Sequence, residues 1–329
     1  TGKSLVRMAY ERCLGVVPEE NILIITLGKF KGIINEQIPE LPKENLLLEP
    51  YARRTAPCIA YATYTLLKRN PDAVMAATPA DIIVNDEQLF KETMTHALDY
   101  AEKNPVLVTL GVKPDRPDTE YGYIQAVGGK GACSSGDPVK VKTFTEKPDA
   151  EIADVFFRSG EFFWNSGIFV WQASVIKEEM ERYIPEITRL FDGWEGALGS
   201  PAEEVFIERA YTDCIKLSID YGVMEKTDRA WVYPIQFGWS DIDSWENYYS
   251  SIRSKDQDGN ISNTQMKILQ NDKRNIILTK NKNKLLMIRG LEDCLVVDTD
   301  DVLLICPRDD KQYKELVNST RMPGYDKYR

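Results

Sequence analysis

Short apolar runs alternate with amphipathic stretches through the first third of the chain, and this restricts the fold more than any other feature. Residues 21–26, 46–48, 73–77 and 106–111 read as strands, and residues 4–14, 30–37, 56–69 and 87–103 as helices. Strands separated by helices join through right-handed crossovers, with helices covering both faces of a mainly parallel sheet. The fold class expected is therefore α/β and doubly wound. Such a sheet binds ligands at the carboxyl ends of its strands, which directs attention to Glu49, to Pro79–Asp81 and to the stretch from Pro114 to Tyr123.

The pattern then changes. Strands are expected at 123–127, 139–146, 167–171 and 230–236, with helices at 150–159, 174–183, 187–191, 202–214, 221–227 and 242–251. After residue 255 short β segments recur at 276–279, 285–289, 294–297 and 302–305, with turn residues Gly290, Asp298 and Asp301 between them, before a short helix at 311–317. This predicts a first domain over 1–254 and a small β-rich domain over 255–329.

Composition removes several function classes. With 41 Lys+Arg against 51 Asp+Glu the net charge is −10, which argues against nucleic acid as a partner. No apolar run approaches the ~20 residues needed to cross a bilayer. Six scattered cysteines form no close pair, so a reducing cytoplasm is the expected compartment. The single histidine, His96, excludes metal centres built on several imidazoles. Chemistry here is expected from carboxylates, lysines, backbone amides or an oxygen-bound metal.

Five segments carry candidate chemistry. In Glu49-Pro50-Tyr51-Ala52-Arg53-Arg54-Thr55-Ala56-Pro57, Thr55 can cap a helix whose first amides would face an anion or a base edge, and the arginines favour phosphate; a capped helix with surface arginines is the other reading. Asp81, closing Thr78-Pro79-Ala80-Asp81, is placed to hold Mg²⁺; a plain turn is the other reading. In Glu120-Tyr121-Gly122-Tyr123, the glycine lets a ligand approach the backbone and the tyrosines could wall a sugar, or else the aromatics are core. Glu146-Lys147-Pro148 and Trp164-Asn165-Ser166-Gly167 offer partners for sugar hydroxyls and a compact cation for phosphate; ordinary turns are the other reading. Trp239-Ser240-Asp241-Ile242-Asp243 supplies a second carboxylate after a strand. Thr1-Gly2-Lys3-Ser4 also matches the end of a phosphate-binding loop, or simply begins and caps a helix.

In their order, EPxxR-xTAP, PAD, EYGYI, EKP, WNSG, SIDYGVMEK (218–226), WSDIDSW and KDxDGN make the chain resemble the mannose-1-phosphate guanylyltransferases, within the sugar nucleotidyltransferases. The resemblance implies a Rossmann-like mixed sheet of nucleotidyltransferase type, a β-helix-like C-terminal domain often used for self-association, and the reaction of GTP with mannose 1-phosphate to GDP-mannose and pyrophosphate. It implies Mg²⁺ on Asp81 and Asp241, sugar contacts from Gly122, Tyr123, Glu146 and Asn165, and Lys147 on the sugar phosphate. It implies nucleotide contacts from Glu49, Pro50, Arg53, Arg54, Thr55 and Ala56. The chain departs from the family at Arg54 (usually Asn), Ile82 (usually His) and Asp243 (usually Gly), and lacks the family's first strand and triphosphate loop of the type GGxGxR. Alternatives are another sugar 1-phosphate or base, or a non-catalytic nucleotide-sugar binder.

Overall fold

The computed structural model describes residues 3–129, 136–242, 244–252 and 254–328. The chain divides into two compact units, Thr1–Trp239 and Ser240–Arg329, the boundary lying ahead of the change in sequence texture near residue 255.

In the first unit α1 is Leu5–Leu14, β1 Ile24–Leu27, α2 Lys31–Gln37, β2 Leu46–Glu49, α3 Thr55–Arg69, β3 Val74–Ala77, β4 Ile82–Val84 and α4 Glu87–Lys103. There follow β5 Leu107–Val112, β6 Tyr123–Ala126, β7 Val139–Thr145, α5 Ala150–Ser159, β8 Phe162–Gln172 and α6 Ala173–Tyr183. Short helices α7 (Pro185–Thr188) and α8 (Trp194–Ala197) lead to α9 (Glu203–Thr212), a π-helical turn at Asp220–Met224 and β9 (Ala230–Ile235). Strands β3-β8-β5-β9-β7-β6 form one sheet. Only the front half keeps the regular alternation, so the sheet is mixed: β5 and β9 are parallel, whereas β8 runs antiparallel to both β3 and β5.

Local chemistry sets the helix starts. Ser4, Asp86 and Asp149 each accept the amide of the third residue on, capping α1, α4 and α5. The Gly2-Lys3-Ser4 match to a phosphate loop therefore ends in a capped helix, with Thr1 and Gly2 outside the described residues. Along α4, Phe90, Met94, Ala97 and Ala101 recur at helical spacing and are buried against Val108, Leu110, Ile168 and Val170 of the sheet. On the other face α3, α6 and α9 build the larger core around Trp171, Phe191 and Tyr211.

Strands β1 and β2 pair in parallel as a separate ribbon, and no ladder joins β1 to β3 among the described residues. The two share one covering layer. Ile25 and Met75 lie in the core that α3 lines, while on the other side Ile24 packs against the cluster of Tyr10, Ile22 and Ile38, and Val74 against the cluster of Phe90 and Val108.

The second unit contains α10 (Trp245–Ser251), α11 (Asp310–Asn318) and six short strands, after β10 (Trp239–Asp241) at the boundary. The strands are β11 Ile261–Ser262, β12 Lys267–Gln270, β13 Ile276–Thr279, β14 Leu286–Arg289, β15 Cys294–Asp298 and β16 Leu303–Pro307. Parallel pairs β11–β13, β13–β15 and β12–β14 stack equivalent residues, bringing Ile261, Ile276 and Leu295 into one buried column. Side-chain amides continue the stack at the corners: Asn260 Oδ1 accepts the Asn275 amide at 3.0 Å, and Asn275 Oδ1 accepts the Cys294 amide at 2.8 Å. This is the β-rich, β-helix-like unit expected, although its repeat is not visible as a repeat in sequence.

Candidate active site

Gly122, Glu146 and Asn165 come together from three separate segments. β6 follows Gly122, β7 ends just before Glu146, and Asn165 lies within β8, which pairs with β6. The Asn165 amide donates to Gly122 O at 2.8 Å, and a Cβ on Gly122 would sit 2.4 Å from Glu146 Oε2 and 3.3 Å from Asn165 Cβ. A side chain at 122 would therefore displace the Glu146 carboxyl, which is the close approach its position suggested.

Polar chemistry is concentrated around this point. Asn165 Nδ2 donates to Asp220 Oδ1 at 2.9 Å, while its Oδ1 accepts Thr109 Oγ1 at 3.0 Å and the Gly167 amide at 3.2 Å. Glu225 Oε1 accepts the Glu146 amide at 2.9 Å. Glu146 Oε2 is buried with no hydrogen-bond partner. Burial, then the charge of Asp220, push the Glu146 carboxyl up to about 7, against a counter-pull from Lys147. Burial likewise raises Asp220. Lys147 takes a left-handed backbone (φ 46) directly before Pro148, and its Nζ lies 3.9 Å from Glu120 Oε2 with both side chains well exposed. That loose pair leaves the ammonium able to meet an anion. Asp220, Glu225 and Thr109 were not singled out from sequence: the first two lie inside SIDYGVMEK, the third inside an apolar strand with no distinguishing signal.

Tyr123 does not wall this pocket. Alternate residues of a strand face opposite ways, so Tyr121 and Tyr123 share the face away from Gly122. Tyr123 is fully buried against Phe156 and Phe162, and its hydroxyl accepts the Asp118 amide at 2.9 Å. Tyr121 packs on Trp164 and Trp239. The aromatics are core.

The second locus is the Glu49–Ala56 loop. Here the helix start differs from expectation. Arg54 occupies the cap position without a side-chain bond, and Thr55 Oγ1 instead accepts the Ile219 amide at 2.9 Å. The Ala56 amide donates to Leu217 O at 3.0 Å and so does not face an anion. Arg53 is committed as a strut, its Nε and Nη2 each 3.0 Å from the carbonyls of Tyr211 and Thr212 at the end of α9. Glu49 accepts the Tyr211 hydroxyl at 2.9 Å, and burial raises its carboxyl above the usual range. Arg54 stands at φ 68, ψ −167, a conformation almost confined to glycine. Beside this loop is a cleft of about 490 Å³ lined by Leu27, Gly28, Lys29, Pro50–Arg53 and Lys216. One segment serves both loci: residues 217–219 pin the start of α3, and residues 220–225 close the Glu146 pocket.

Asp81 lies exposed in the loop after β3, whose Pro79 packs against Gly167, with a Cβ on that glycine 3.4 Å from Pro79 Cγ. Asp241 ends β10. Among the described residues no three His, Cys, Asp or Glu side chains are arranged to hold a metal, yet one or two carboxylates completed by phosphate oxygens are the donors Mg²⁺ usually takes. Ile82 is 1% exposed among Phe90 and Phe237, so this departure from the family fills the core. Asp243, like Cys133, lies outside the described residues. His96 pairs with Tyr233 and Asp137 on the surface of α4, away from these groups in role.

The family model for nucleotidyl transferases matches residues 1–258. This chain belongs to the nucleotidyl transferase family. Among curated relatives in that family, mannose-1-phosphate guanylyltransferase of Escherichia coli is 34% identical over 323 residues, covering 94% of this chain and 65% of the relative. Alginate biosynthesis protein AlgA of Pseudomonas aeruginosa is 35% identical, covering 87% of this chain and 59% of the relative. The chain therefore spans about three-fifths to two-thirds of the length of these relatives. A solved structure from Thermus thermophilus named mannose-1-phosphate geranyltransferase superposes with a TM-score of 0.82 at 27% identity, covering 98% of this chain and 90% of that one.

Proposed function

We propose that this protein transfers GMP from GTP to mannose 1-phosphate, forming GDP-mannose and pyrophosphate. The observation that carries the reading is the Gly122–Glu146–Asn165 pocket. A buried carboxyl oxygen without a partner lies beside an amide with one hydrogen to spare, a pattern that suits sugar hydroxyls. The relatives' names favour mannose 1-phosphate as the sugar ester.

The chemistry asks little of the side chains. A sugar-phosphate oxygen is already anionic at neutral pH and needs no histidine base to attack the α-phosphorus. It needs in-line placement and relief of repulsion between two anions. Lys147 offers a compact cation for the sugar phosphate, and Glu146 and Asn165 orient the ring. Mg²⁺ is the cofactor this reading calls for. Asp81 and Asp241 offer the oxygen donors that cation takes, and when bound it would neutralise charge on the phosphates. Pro50 and Arg53, between Glu49 and Arg54 in the chain, line the cleft that this reading gives to the nucleotide, where Lys29 and Lys216 are the other cations. The same reading includes a cytoplasmic protein and self-association through the second unit, whose Ile268 and Met287 stand exposed side by side on β12 and β14. Among the described residues no helix is long and apolar enough to cross a membrane.

Pyrophosphate release by the full-length protein tests the proposal, using GTP with mannose 1-phosphate and Mg²⁺, and ATP or glucose 1-phosphate as controls. Release confined to the first pair supports it. Release with another pair reassigns the substrate, and ligand binding without release favours a non-catalytic binder.

A further inference from the structure

We propose that Asp220 is a positioning residue of the sugar site, fixing which end of the Asn165 amide faces the ligand so that Asn165 can only donate there. This rests on the reading that the pocket holds the sugar of a sugar 1-phosphate.

The hydrogen-bond inventory decides the amide's orientation. Asn165 Oδ1 receives Thr109 Oγ1 and the Gly167 amide, and Nδ2 gives one hydrogen to Asp220 Oδ1. Turning the amide over would aim its oxygen at the Asp220 carboxylate and its NH₂ at the Gly167 N–H, two repulsive contacts. Thr109 could rotate its hydroxyl to follow, so it does not discriminate. Gly167 and Asp220 do. The one N–H left over is all that Asn165 can show a ligand.

Asp220 is itself rigidly placed. It opens the π-helical turn, a geometry frequent at functional sites. Its carbonyl accepts the Glu225 amide at 3.0 Å, and the Gly222 amide donates to Ser218 O at 2.9 Å. A Cβ on Gly222 would come within 3.1 Å of both Ile184 Cγ2 and Leu217 Cδ2, so the turn is seated without slack.

The same carboxylate acts on Glu146. The charged groups facing Glu146 are Asp220, Glu225 and Lys147, with Glu120 across from Lys147. After burial, Asp220 is the largest contributor holding the Glu146 carboxyl near neutrality. Close to pH 7 Glu146 can therefore accept from or donate to a hydroxyl, while Asn165 only donates.

Two variants and one spectrum test this. Asp220→Ala removes the acceptor and is expected to raise KM for mannose 1-phosphate about tenfold, the loss of one charge-assisted bond, with KM for GTP unchanged. Asp220→Asn restores an acceptor oxygen and should recover most of that loss. It also removes a negative neighbour of Glu146, moving the pH midpoint of sugar-phosphate KM downward. In the unliganded protein, the Asn165 side-chain amide resonances should shift in Asp220→Ala, whether or not the protein turns over. Equal effects of Ala and Asn with an unmoved midpoint, or unchanged Asn165 resonances, overturn the proposal. If Asp220→Ala does not fold, the Asp220→Asn midpoint decides alone: lowered supports, unmoved overturns. If the wild type transfers nothing with any pair, the functional reading fails while the spectrum still judges Asp220.

Discussion

Replacing Gly122 by alanine isolates the contact on which the sugar pocket depends. The added Cβ would lie 2.4 Å from Glu146 Oε2, whereas ordinary contact begins at 3.4 Å. One partner must therefore retreat by about 1 Å, a misplacement that can cost about 100-fold in rate at a reacting site. Asn165 cannot be the one to yield, because β6 and β8 are laddered there and its amide is bonded to Gly122 O. The carboxyl of Glu146 moves instead. Gly122 does not occupy a left-handed conformation, so backbone strain does not confuse the result. Glu146 Oε2 has no bond to lose, so stability should change by less than about 1 kcal/mol. Steady-state kinetics should show kcat/KM for mannose 1-phosphate down about 100-fold, with GTP binding and melting temperature near wild type. Retention of wild-type kcat/KM, or equal weakening of both substrates with a lowered melting temperature, would refute the steric reasoning.

Three further outcomes are expected. Because the fold raises Glu146 from its ordinary 4.5 to about 7, the wild type is most stable, as far as this group matters, below the lower value and loses that contribution as pH rises to the upper. Glu146→Gln should abolish that slope, gaining about 1–3 kcal/mol on the wild type at pH 8 relative to pH 4 in urea titrations; parallel curves for the two proteins would contradict it. Arg54→Gly should relieve the strained φ 68, ψ −167 backbone and stabilise by about 1 kcal/mol after the entropy of glycine is deducted, read from the urea midpoint; a lowered midpoint would show that arginine is held there favourably. Asp241→Asn should cut turnover about 100-fold or more and raise the Mg²⁺ concentration needed, with an unchanged melting temperature; a wild-type Mg²⁺ dependence would remove Asp241 from the metal set.

Much of the scaffold was legible because its signals are local. The mostly apolar run Leu107–Leu110, set between Asn104-Pro105 and Gly111, reads as a short buried strand, and the spacing of Phe90, Met94, Ala97 and Ala101 reads as one face of a helix. Strand β8 was legible only in its second half. Asn165-Ser166-Gly167 has the composition of a turn, yet it continues the strand from Phe162, with Gly167 at φ 73 and a register shift in the facing β5. The site shows the same division. Gly122 and Glu146 carry distinctive residue types at strand ends and Asn165 one inside a strand, and the fold brings them together. The roles of Arg53, Thr55 and Ala56 depend on Tyr211, Leu217 and Ile219, which only the tertiary structure brings near. Tyr123 could have been placed in the core by strand alternation alone, since Tyr121 and Tyr123 must share a face.

The central claim is that Glu146 and Asn165 hold the sugar. A structure of the full-length protein bound to GDP-mannose tests it directly. The account expects sugar hydroxyls within about 2.6–3.2 Å of Glu146 Oε2 and Asn165 Nδ2, with Asn165 still bonded to Asp220. A hexose ring seated elsewhere, such as in the cleft beside Lys29 and Lys216, with Glu146 left unpartnered, would contradict it.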